Sequence, residues 1–299
     1  MTLPDFAELV ALRGVAQGFA VGSRRKTRTV STGAHYSAQR GRGLEFQEVR
    51  LYVPGDDPRS IDWRVTARRG RPHTKLYREE RERPVWLLVD LDPALFFGTR
   101  RQLKSAAIVR AAALLAWAAA LGGDRVGAVI SGAAEPRVLA PRSREAGVLA
   151  LLAALLELQP RAPGPPAAHS LEAGLHALTP LVRPGSLLLA LSDFAQLESA
   201  ADPAWAALAA HSAWQLYGVS DPLEEHALPN GRFRAGLPDR VRVLDGASVR
   251  ARWLETWRTR MARIEALGRL LAAPVMPLST SAAVEDALGA ELRRSRALA

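Results

Sequence analysis

The sequence predicts an α/β protein whose core is a doubly wound, mostly parallel β-sheet, preceded by a small β-rich subdomain. The first observation is that short apolar runs, such as VWLLVD at residues 85–90, alternate with helical segments after residue 84. Continuous apolar runs are typical of strands buried on both faces, and strands that alternate with crossover helices form parallel sheets. The second observation is that glycines, turn residues and short apolar runs dominate residues 34–83, which favours strands and turns.

The N-terminal part begins with a predicted helix at residues 5–16, where Phe6, Leu9, Val10 and Leu12 follow helical spacing. A basic polar stretch follows at residues 23–28. We therefore divide the chain into an N-terminal helix and β-rich subdomain at residues 1–83 and an α/β domain at residues 84–299.

The α/β domain is predicted element by element from its apolar periodicity. Its strands are expected at residues 85–90, 126–131, 187–192, 214–219, 241–244 and 274–278, with an edge strand at 135–140. Its helices are expected at residues 101–121, 143–158 (capped by Ser143), 170–181, 203–210, 248–271 and 282–296. The strands at 85–90, 126–130, 187–191 and 215–219 should be parallel neighbours in one sheet.

Composition limits the possible function. The chain has no cysteine, which excludes disulfides, thiol nucleophiles and cysteine-ligated metals. It also has no Walker phosphate loop and no Gly-x-Ser-x-Gly elbow. The apolar segment 108–121 contains Arg110 and is short for a bilayer, so we expect a buried helix and no membrane span. The N-terminus carries no recognisable signal peptide. Because the absence of cysteine also fits the cytoplasm, a cytoplasmic protein is expected.

The net charge is +10, and most of the excess lies before residue 85. A basic region of this kind attracts nucleic acid, anionic membranes or acidic proteins. No RNA-binding aromatic motif or zinc finger accompanies it. Nucleic-acid binding through the basic N-terminal part is therefore the alternative function and not the leading one.

Acidic residues follow three predicted strands: Asp90, Asp193 and Asp221. Ligands of such sheets bind beyond the carboxyl ends of the strands, so these carboxylates are expected at one edge. Oxygen ligands without His or Cys suit a hard cation such as Mg²⁺. The competing interpretation is that each Asp caps a helix or closes a turn, which we favour for Asp221 because Pro222 follows it.

The segment 41–80 carries a long, specific motif. Its residues are Gly41, Gly43, Glu45, Phe46, Glu48, Arg50, Tyr52, Pro54, Gly55, Asp56, Asp57, Arg59, Ile61, Asp62, Trp63, Ala67 and Arg68. The motif resembles that of the domain of unknown function 58 family. The pattern after residue 85 is similar to the Rossmann-type, von Willebrand factor A-like domain of that family, so the resemblance covers nearly the whole chain.

The resemblance implies a bacterial, non-enzymatic protein-interaction module, an adaptor or co-chaperone that acts with a MoxR-type AAA+ ATPase on unknown client proteins. It also implies a metal-ion-dependent adhesion site, built from Asp-x-Ser-x-Ser, a later Thr and a later Asp. Here Asp90, Asp92, Ser170 and Asp193 occupy matching positions, while Asp92 and Ala94 replace the two serines. The expected site is thus degenerate, with Mg²⁺ or Ca²⁺ as its candidate ion.

The turn that contains Asp56, Asp57, Arg59 and Arg64 has two interpretations. In the functional one, these charges form a docking surface. In the structural one, they close a turn, Asp62 pairs with Arg59 or Arg64, and Ile61 and Trp63 are buried anchors. A metal-dependent hydrolase built on Asp90, Asp92 and Asp193 is a weaker hypothesis, since no general base or nucleophile is evident beside them.

Overall fold

The computed structural model describes residues 2–19, 21, 44–54, 58, 61–79, 82–197, 202–237 and 240–289. The chain divides into two compact units. The larger comprises Met1–Arg24 and Arg83–Ala299, and the smaller comprises Arg25–Glu82.

The smaller unit contains an antiparallel pair of strands, β1 (Leu44–Leu51) and β2 (His73–Glu79). Between them lies a helix, α2 (Trp63–Arg69), in a segment predicted as strand and turn. Asp62 caps this helix, because its Oδ1 accepts the backbone N–H groups of residues 64 and 65 at 3.0 and 3.1 Å. Gly70 ends it in the left-handed conformation, at φ 68°. The described part of the unit is therefore an antiparallel pair of strands whose connection contains a capped helix.

The prediction that Trp63 is a buried anchor is wrong. Its exposed fraction is 69%. Trp63 is the first residue of α2, and α2 buries none of its residues. The helical conformation of this segment therefore leaves the indole at the surface.

The larger unit is built on a six-stranded sheet in the order β10-β7-β6-β3-β4-β5. Its strands are β3 (Pro84–Asp90), β4 (Arg125–Ser131), β5 (Arg137–Ser143), β6 (Leu187–Ser192), β7 (Ala213–Ser220) and β10 (Val275–Ser279). All neighbours are parallel except β4 and β5. The prediction that four strands are parallel neighbours is confirmed, and the short segment after β4 is the antiparallel edge strand.

Helices cover both faces of this sheet. Val85, Leu87 and Val89 of β3 join one core with α1 (Phe6–Ala16), α3 (Lys104–Leu121) and α4 (Glu145–Leu158). Trp86 and Leu88 face the other core, with α5 (Ser170–Leu178), α6 (Pro203–Ala209) and α8 (Gly246–Leu270). The sheet is therefore doubly wound, and the winding reverses between β3 and β6. A crevice at the carboxyl ends of the strands is expected at that reversal.

Helix α3 is the central helix of one layer. By length and mean hydropathy (1.5) it could cross a membrane, yet 83% of it is buried within the fold. Helix α1 packs on it, with the Trp117 indole N–H donating to the Leu9 carbonyl at 3.0 Å and Glu8 bonded to Arg110 at 2.5 Å. Helix α1 thus belongs to the larger unit, whereas the predicted boundary at residue 83 grouped it with the β-rich part.

The remaining elements complete the larger unit. Short 3-10 helices occupy Pro93–Leu95 and Thr179–Leu181, residues 284–289 are helical, and α7 (Pro222–His226) precedes a hairpin of β8 (Arg232–Leu237) and β9 (Arg240–Asp245). The two edge strands of the main sheet each contain a proline, Pro141 in β5 and Pro277 in β10. Ser143 does not cap α4 as predicted; it ends β5, and α4 begins after Arg144, whose φ is 60°.

Candidate functional site at the carboxyl ends of the strands

The candidate site lies on the loops that follow β3, β6 and β7, which we call the rim. Asp90 ends β3, Ser192 ends β6 and is followed by Asp193, and Asp221 follows β7. Because β3, β6 and β7 are consecutive parallel neighbours, their carboxyl ends meet at one edge. The predicted convergence of acidic residues therefore has its basis in the sheet order.

Asp90 is enclosed by hydroxyl groups. Ser170 donates to its Oδ1 at 3.1 Å and Ser192 donates to its Oδ2 at 2.6 Å. The backbone N–H of Asp92 donates to Oδ1 at 3.1 Å. Burial raises the pKa of Asp90 to about 7, against the Ser192 hydrogen bond that lowers it, and the nearby charges of Asp193 and Asp92 raise it further. Asp90 is only 4% exposed. With its pKa raised in this way, the Asp90 carboxyl group can hold a proton near neutral pH.

Asp92 organises the loops of the rim. Its Oδ1 accepts the backbone N–H of Ala94 at 2.7 Å and so caps the 3-10 helix that follows β3. Its Oδ2 accepts from the backbone N–H of Ala167 at 2.8 Å and from the Gln196 amide at 2.7 Å. The Asp92 carboxylate thus connects three loops, those after β3, before α5 and after β6. Its oxygens accept hydrogen bonds that hold the structure together.

A buried network of four charges lies beside these carboxylates. The Lys104 ammonium donates to Asp193, and to Glu224 at 3.0 Å. The Arg260 guanidinium contacts Glu224 at 3.0 Å and Asp193 at 3.7 Å. The exposed fractions of these side chains lie between 4% and 13%. Burying any one of these charges alone would be costly, because it loses its contact with water. The two cations and two anions offset that cost by pairing with one another.

Lys104 lies at the end of its helix where the helix dipole disfavours a cation. It is the first residue of α3, and a helix N-terminus carries partial positive charge that disfavours a cation. Burial alone lowers the pKa of Lys104, but the charges of Asp193 and Glu224 raise it above its ordinary value overall. The ammonium is thus held charged by its two carboxylate partners.

Asp193 differs from Asp90 in the direction of its pKa shift. Burial alone raises the pKa of Asp193, but the charge and hydrogen bond of Lys104, followed by the charge of Arg260, bring it below its ordinary value. Lysine and arginine side chains of the same chain therefore supply the positive charge beside Asp193.

Asp221 is a cap, in line with the favoured interpretation. It begins α7 with a capping box, in which Glu224 reaches back to the Asp221 backbone N–H. Its carboxylate also accepts the hydroxyls of Thr99 and Thr280, each at 2.5 Å. Burial raises the pKa of Asp221, yet these hydrogen bonds lower it below its ordinary value. Asp221 therefore joins the loops after β3 and β10 to the end of β7.

The residues at the rim do not fit the expected divalent cation. Within the described residues, no group of three or more His, Asp or Glu side chains is placed to hold a metal. Asp193, the expected last ligand, is bonded to Lys104, and both oxygens of Asp90 accept hydrogen bonds from serines. Asp90, Asp92, Ser170 and Asp193 are brought together as predicted, but their oxygens are directed at donors of the chain itself.

The expected docking surface is largely untested. Asp56, Asp57 and Arg59 lie outside the described residues. Arg64 is described, and it is exposed in the first turn of α2.

Sequence reasoning missed Ser192, Lys104, Glu224 and Arg260, which complete the site. One signal was available: Lys104 is one of three lysines in an arginine-rich chain, the others being Lys26 and Lys75. A compact ammonium suits a small buried site between two carboxylates, where the planar guanidinium of arginine is larger and less adaptable. Glu224 and Arg260 carried no comparable signal.

Two solved structures show limited similarity to this chain. One is the conserved hypothetical protein BatB from Bacteroides thetaiotaomicron, with a TM-score of 0.43, 14% identity, and coverage of 72% of this chain and 99% of that one. The other is an uncharacterized membrane spanning protein from Vibrio fischeri, with a TM-score of 0.23, 14% identity, and coverage of 72% and 98%. Both TM-scores are low, so neither similarity supports an assignment of fold or function.

Sequence relatives and a family model carry the assignment. The chain is 42% identical over 123 residues to uncharacterized proteins Rv1480 of Mycobacterium tuberculosis (strain ATCC 25618 / H37Rv) and Mb1516 of Mycobacterium bovis. The match covers 41% of this chain and 39% of each relative, so the chain spans about two fifths of the length of these curated relatives. The model of the family described as protein of unknown function DUF58 matches residues 48–263. The match spans well over half of the chain, which therefore belongs to the DUF58 family.

Proposed function

We propose that this protein is a non-enzymatic protein-interaction module, an adaptor or co-chaperone of a MoxR-type AAA+ ATPase in the cytoplasm. The observation that carries the proposal is that the rim carboxylates are already engaged by the chain itself. Asp90 is held by two serines, Asp92 by three donors, and Asp193 by Lys104. Catalytic groups need access to a reacting atom, whereas a rigid, charge-compensated rim is suited to recognition.

A von Willebrand factor A-like domain is the proposed fold type. Three features support it: Asp90 ends the first strand of the sheet, Ser170 begins a later helix, and Asp193 follows a later neighbouring strand. These are the positions that the adhesion-site pattern occupies. Ser170 hydrogen-bonds Asp90 at 3.1 Å, as a shared site requires.

We further propose that the rim works without a divalent cation. Lys104 carries the positive charge that Asp193 would otherwise require from a metal. Ala94, at the position of an expected serine ligand, offers no hydroxyl. Calorimetric titration of the purified chain with millimolar Mg²⁺ or Ca²⁺ should therefore detect no binding, and a saturable heat that Asp90→Ala abolishes would contradict this part of the proposal.

The ATPase partner comes from the family resemblance, and its docking site is proposed to be the rim. The test measures binding of the immobilised full chain to the MoxR-type ATPase of the source organism, assembled with a non-hydrolysable ATP analogue. Ala94 is exposed at the rim, and Ala210 is exposed at the opposite end of the sheet, after α6. Ala94→Arg should weaken binding about tenfold or more, equivalent to about 1.4 kcal/mol, while the matched control Ala210→Arg should leave it unchanged.

Absence of ATPase binding, or equal binding by both variants, would refute the proposed partner or its docking site, respectively. The nucleic-acid alternative rests on basic residues of the N-terminal part, many of which lie outside the described ranges. It predicts DNA or RNA binding by the wild-type chain that weakens steeply with salt. Such binding in place of ATPase binding would favour the alternative.

A further inference from the structure

A second basic region follows β7, although most of the excess positive charge of the chain lies before residue 85. Residues 232–270 contain ten arginines against four acidic residues. Six of these arginines lie on α8, with two glutamates. Arg252, Arg260 and Arg263 share one face of α8, since their spacings of three and eight residues are close to whole helical turns.

This face of α8 lines a groove next to the rim. The groove has a volume of about 480 Å³ and lies between α8 and Ala195, in the loop after β6. Its lining residues are Ala195, Arg252, Glu255, Thr256, Thr259, Arg260 and Arg263. Volumes of this order, within about 300–1,000 Å³, are typical of ligand pockets and accommodate a few side chains. The groove therefore offers guanidinium donors in a concave surface.

The three arginines differ in how their charge is compensated. Arg260 is paired with Glu224 and Asp193. Arg263 donates one N–H to the backbone carbonyl of Leu197 at 3.1 Å, which orients it but does not neutralise its charge.

Arg252 has the least compensation. It is exposed, and among the described residues its guanidinium has no hydrogen-bond or ion-pair partner. The acidic residue of the lining, Glu255, contacts Arg258 outside the groove at 3.9 Å. Two guanidinium groups of the groove, those of Arg252 and Arg263, thus retain uncompensated charge and free donors.

We propose that this groove binds the carboxylate side chains of an acidic segment in a partner protein. The proposal rests on the proposed function and names the chemistry of the partner. Guanidinium groups pair with carboxylates through two parallel hydrogen bonds. The Thr256 hydroxyl already donates to the Arg252 backbone carbonyl at 2.9 Å, so the guanidinium groups carry the recognition. Charge complementarity is the argument for the occupant, because the groove holds three arginines and one glutamate.

The size of the groove and the charges that line it favour a peptide carboxylate over a nucleic-acid backbone as the ligand. A groove of about 480 Å³ holds a few side chains, whereas nucleic acid needs an extended track of cations. Glu255 in the wall would repel a continuous row of phosphates. Spaced carboxylates can avoid it and still reach Arg252 and Arg263.

Arg260 links the groove to the buried charge network. It lines the groove and also contacts Asp193 and Glu224. A carboxylate bound in the groove would compete with these two side chains for the same guanidinium. Occupation of the groove is therefore coupled to the charge balance around Lys104.

The test uses the full chain and a fluorescein-labelled, end-blocked hexaglutamate peptide, with hexaglutamine as the uncharged peptide. Fluorescence anisotropy at low salt measures binding. The groove variant is Arg252→Glu/Arg263→Glu, and Arg252→Glu alone serves if loss of the Leu197 contact impairs folding. The control is Arg258→Glu/Arg269→Glu, which makes the same charge change on exposed arginines of α8 outside the groove lining.

Hexaglutamate should bind the wild type, and the groove variant should weaken this binding about tenfold or more, with the control variant close to wild type. Absence of hexaglutamate binding, or equal weakening by groove and control variants, would overturn the proposal. So would a single-stranded DNA oligonucleotide or inorganic phosphate that displaces the peptide and binds more tightly through the same arginines, since the site would then be a phosphate site.

The outcome is separable from that of the proposed function. If the chain binds hexaglutamate through the groove but does not bind the ATPase, the proposed ATPase partner is refuted and the groove proposal is supported. If the chain binds the ATPase but not hexaglutamate, the groove proposal is refuted and the proposed partner is supported.

Discussion

Replacing Lys104 with methionine removes the ammonium and keeps a side chain of similar length. Asp193 and Glu224 then remain buried with Arg260 as their neighbouring cation, 3.7 and 3.0 Å away. Removing one partner of a buried ion pair costs about 3–5 kcal/mol, because the other charge stays desolvated. Since Arg260 offsets part of that cost, we expect Lys104→Met to lower the free energy of unfolding by about 3 kcal/mol, at the lower end of that range.

Urea denaturation measures this loss, and its pH dependence identifies the cause. In the wild type the pKa of Asp193 is lowered, so its contribution to stability is present above the unfolded-state pKa and lost as the pH falls. Without Lys104, burial raises the pKa of Asp193, and the folded variant binds a proton more tightly than its unfolded chain. The destabilisation should therefore be smaller near pH 5 than near pH 8.

A double variant separates electrostatics from packing. Lys104→Met/Asp193→Asn removes the orphaned charge, so it should be more stable than Lys104→Met alone at about pH 8, with a coupling energy within about 0.5–3 kcal/mol. A loss below about 1 kcal/mol in Lys104→Met, the range of an exposed ion pair, or a loss independent of pH, would refute the buried-network argument.

Two further predictions concern a titrating carboxyl group and a surface residue. The pKa of Asp90 is raised from 3.8 to about 7, so the folded wild type binds this proton and loses stability as the pH rises through that window. Asp90→Asn should gain stability relative to wild type over the same window in urea denaturation at stepped pH, and a flat difference would count against the raised pKa. Trp63→Ala should change the free energy of unfolding by no more than about 0.5 kcal/mol, because the side chain is 69% exposed. The control Trp205→Ala, at a fully buried position, should cost about 3–5 kcal/mol; comparable losses in the two variants would show that Trp63 is not a surface residue.

The central sheet was predictable from sequence because its strands are short runs buried on both faces. Segments such as LLLALS at β6 contain no polar position until their last residue, and helices separate most of them along the chain. That pattern leaves few alternatives to a parallel sheet with helices on both sides. The convergence of Asp90 and Asp193 follows from the same order, because the carboxyl ends of neighbouring parallel strands lie at one edge. Ser170 reaches that edge as the first residue of α5, the helix that leads into β6.

The charges that compensate those carboxylates were not predictable in the same way. Glu224 is on α7 and Arg260 on α8, more than thirty residues from Asp193. Their approach depends on how α8 packs across the sheet, and neither the helical periodicity of α8 nor its arginine content specifies that packing.

The position of Trp63 was mispredicted for a local reason. The apolar residues of Ile61-Asp62-Trp63 predict a buried segment, whereas Asp62 caps a short helix that starts at Trp63. An Asp before a run of residues without glycine or proline is a helix-start signal, and here it outweighs the apolar pattern.

The prolines of the edge strands affect how molecules of this protein meet one another in solution. An open sheet with unprotected outer strands can recruit the strand of a second molecule and grow into an aggregate. Pro141 and Pro277 each remove a backbone N–H from an outermost strand, which interrupts the row of donors that an added strand would use. Both borders of the main sheet therefore disfavour growth of the sheet by strand addition from a second molecule.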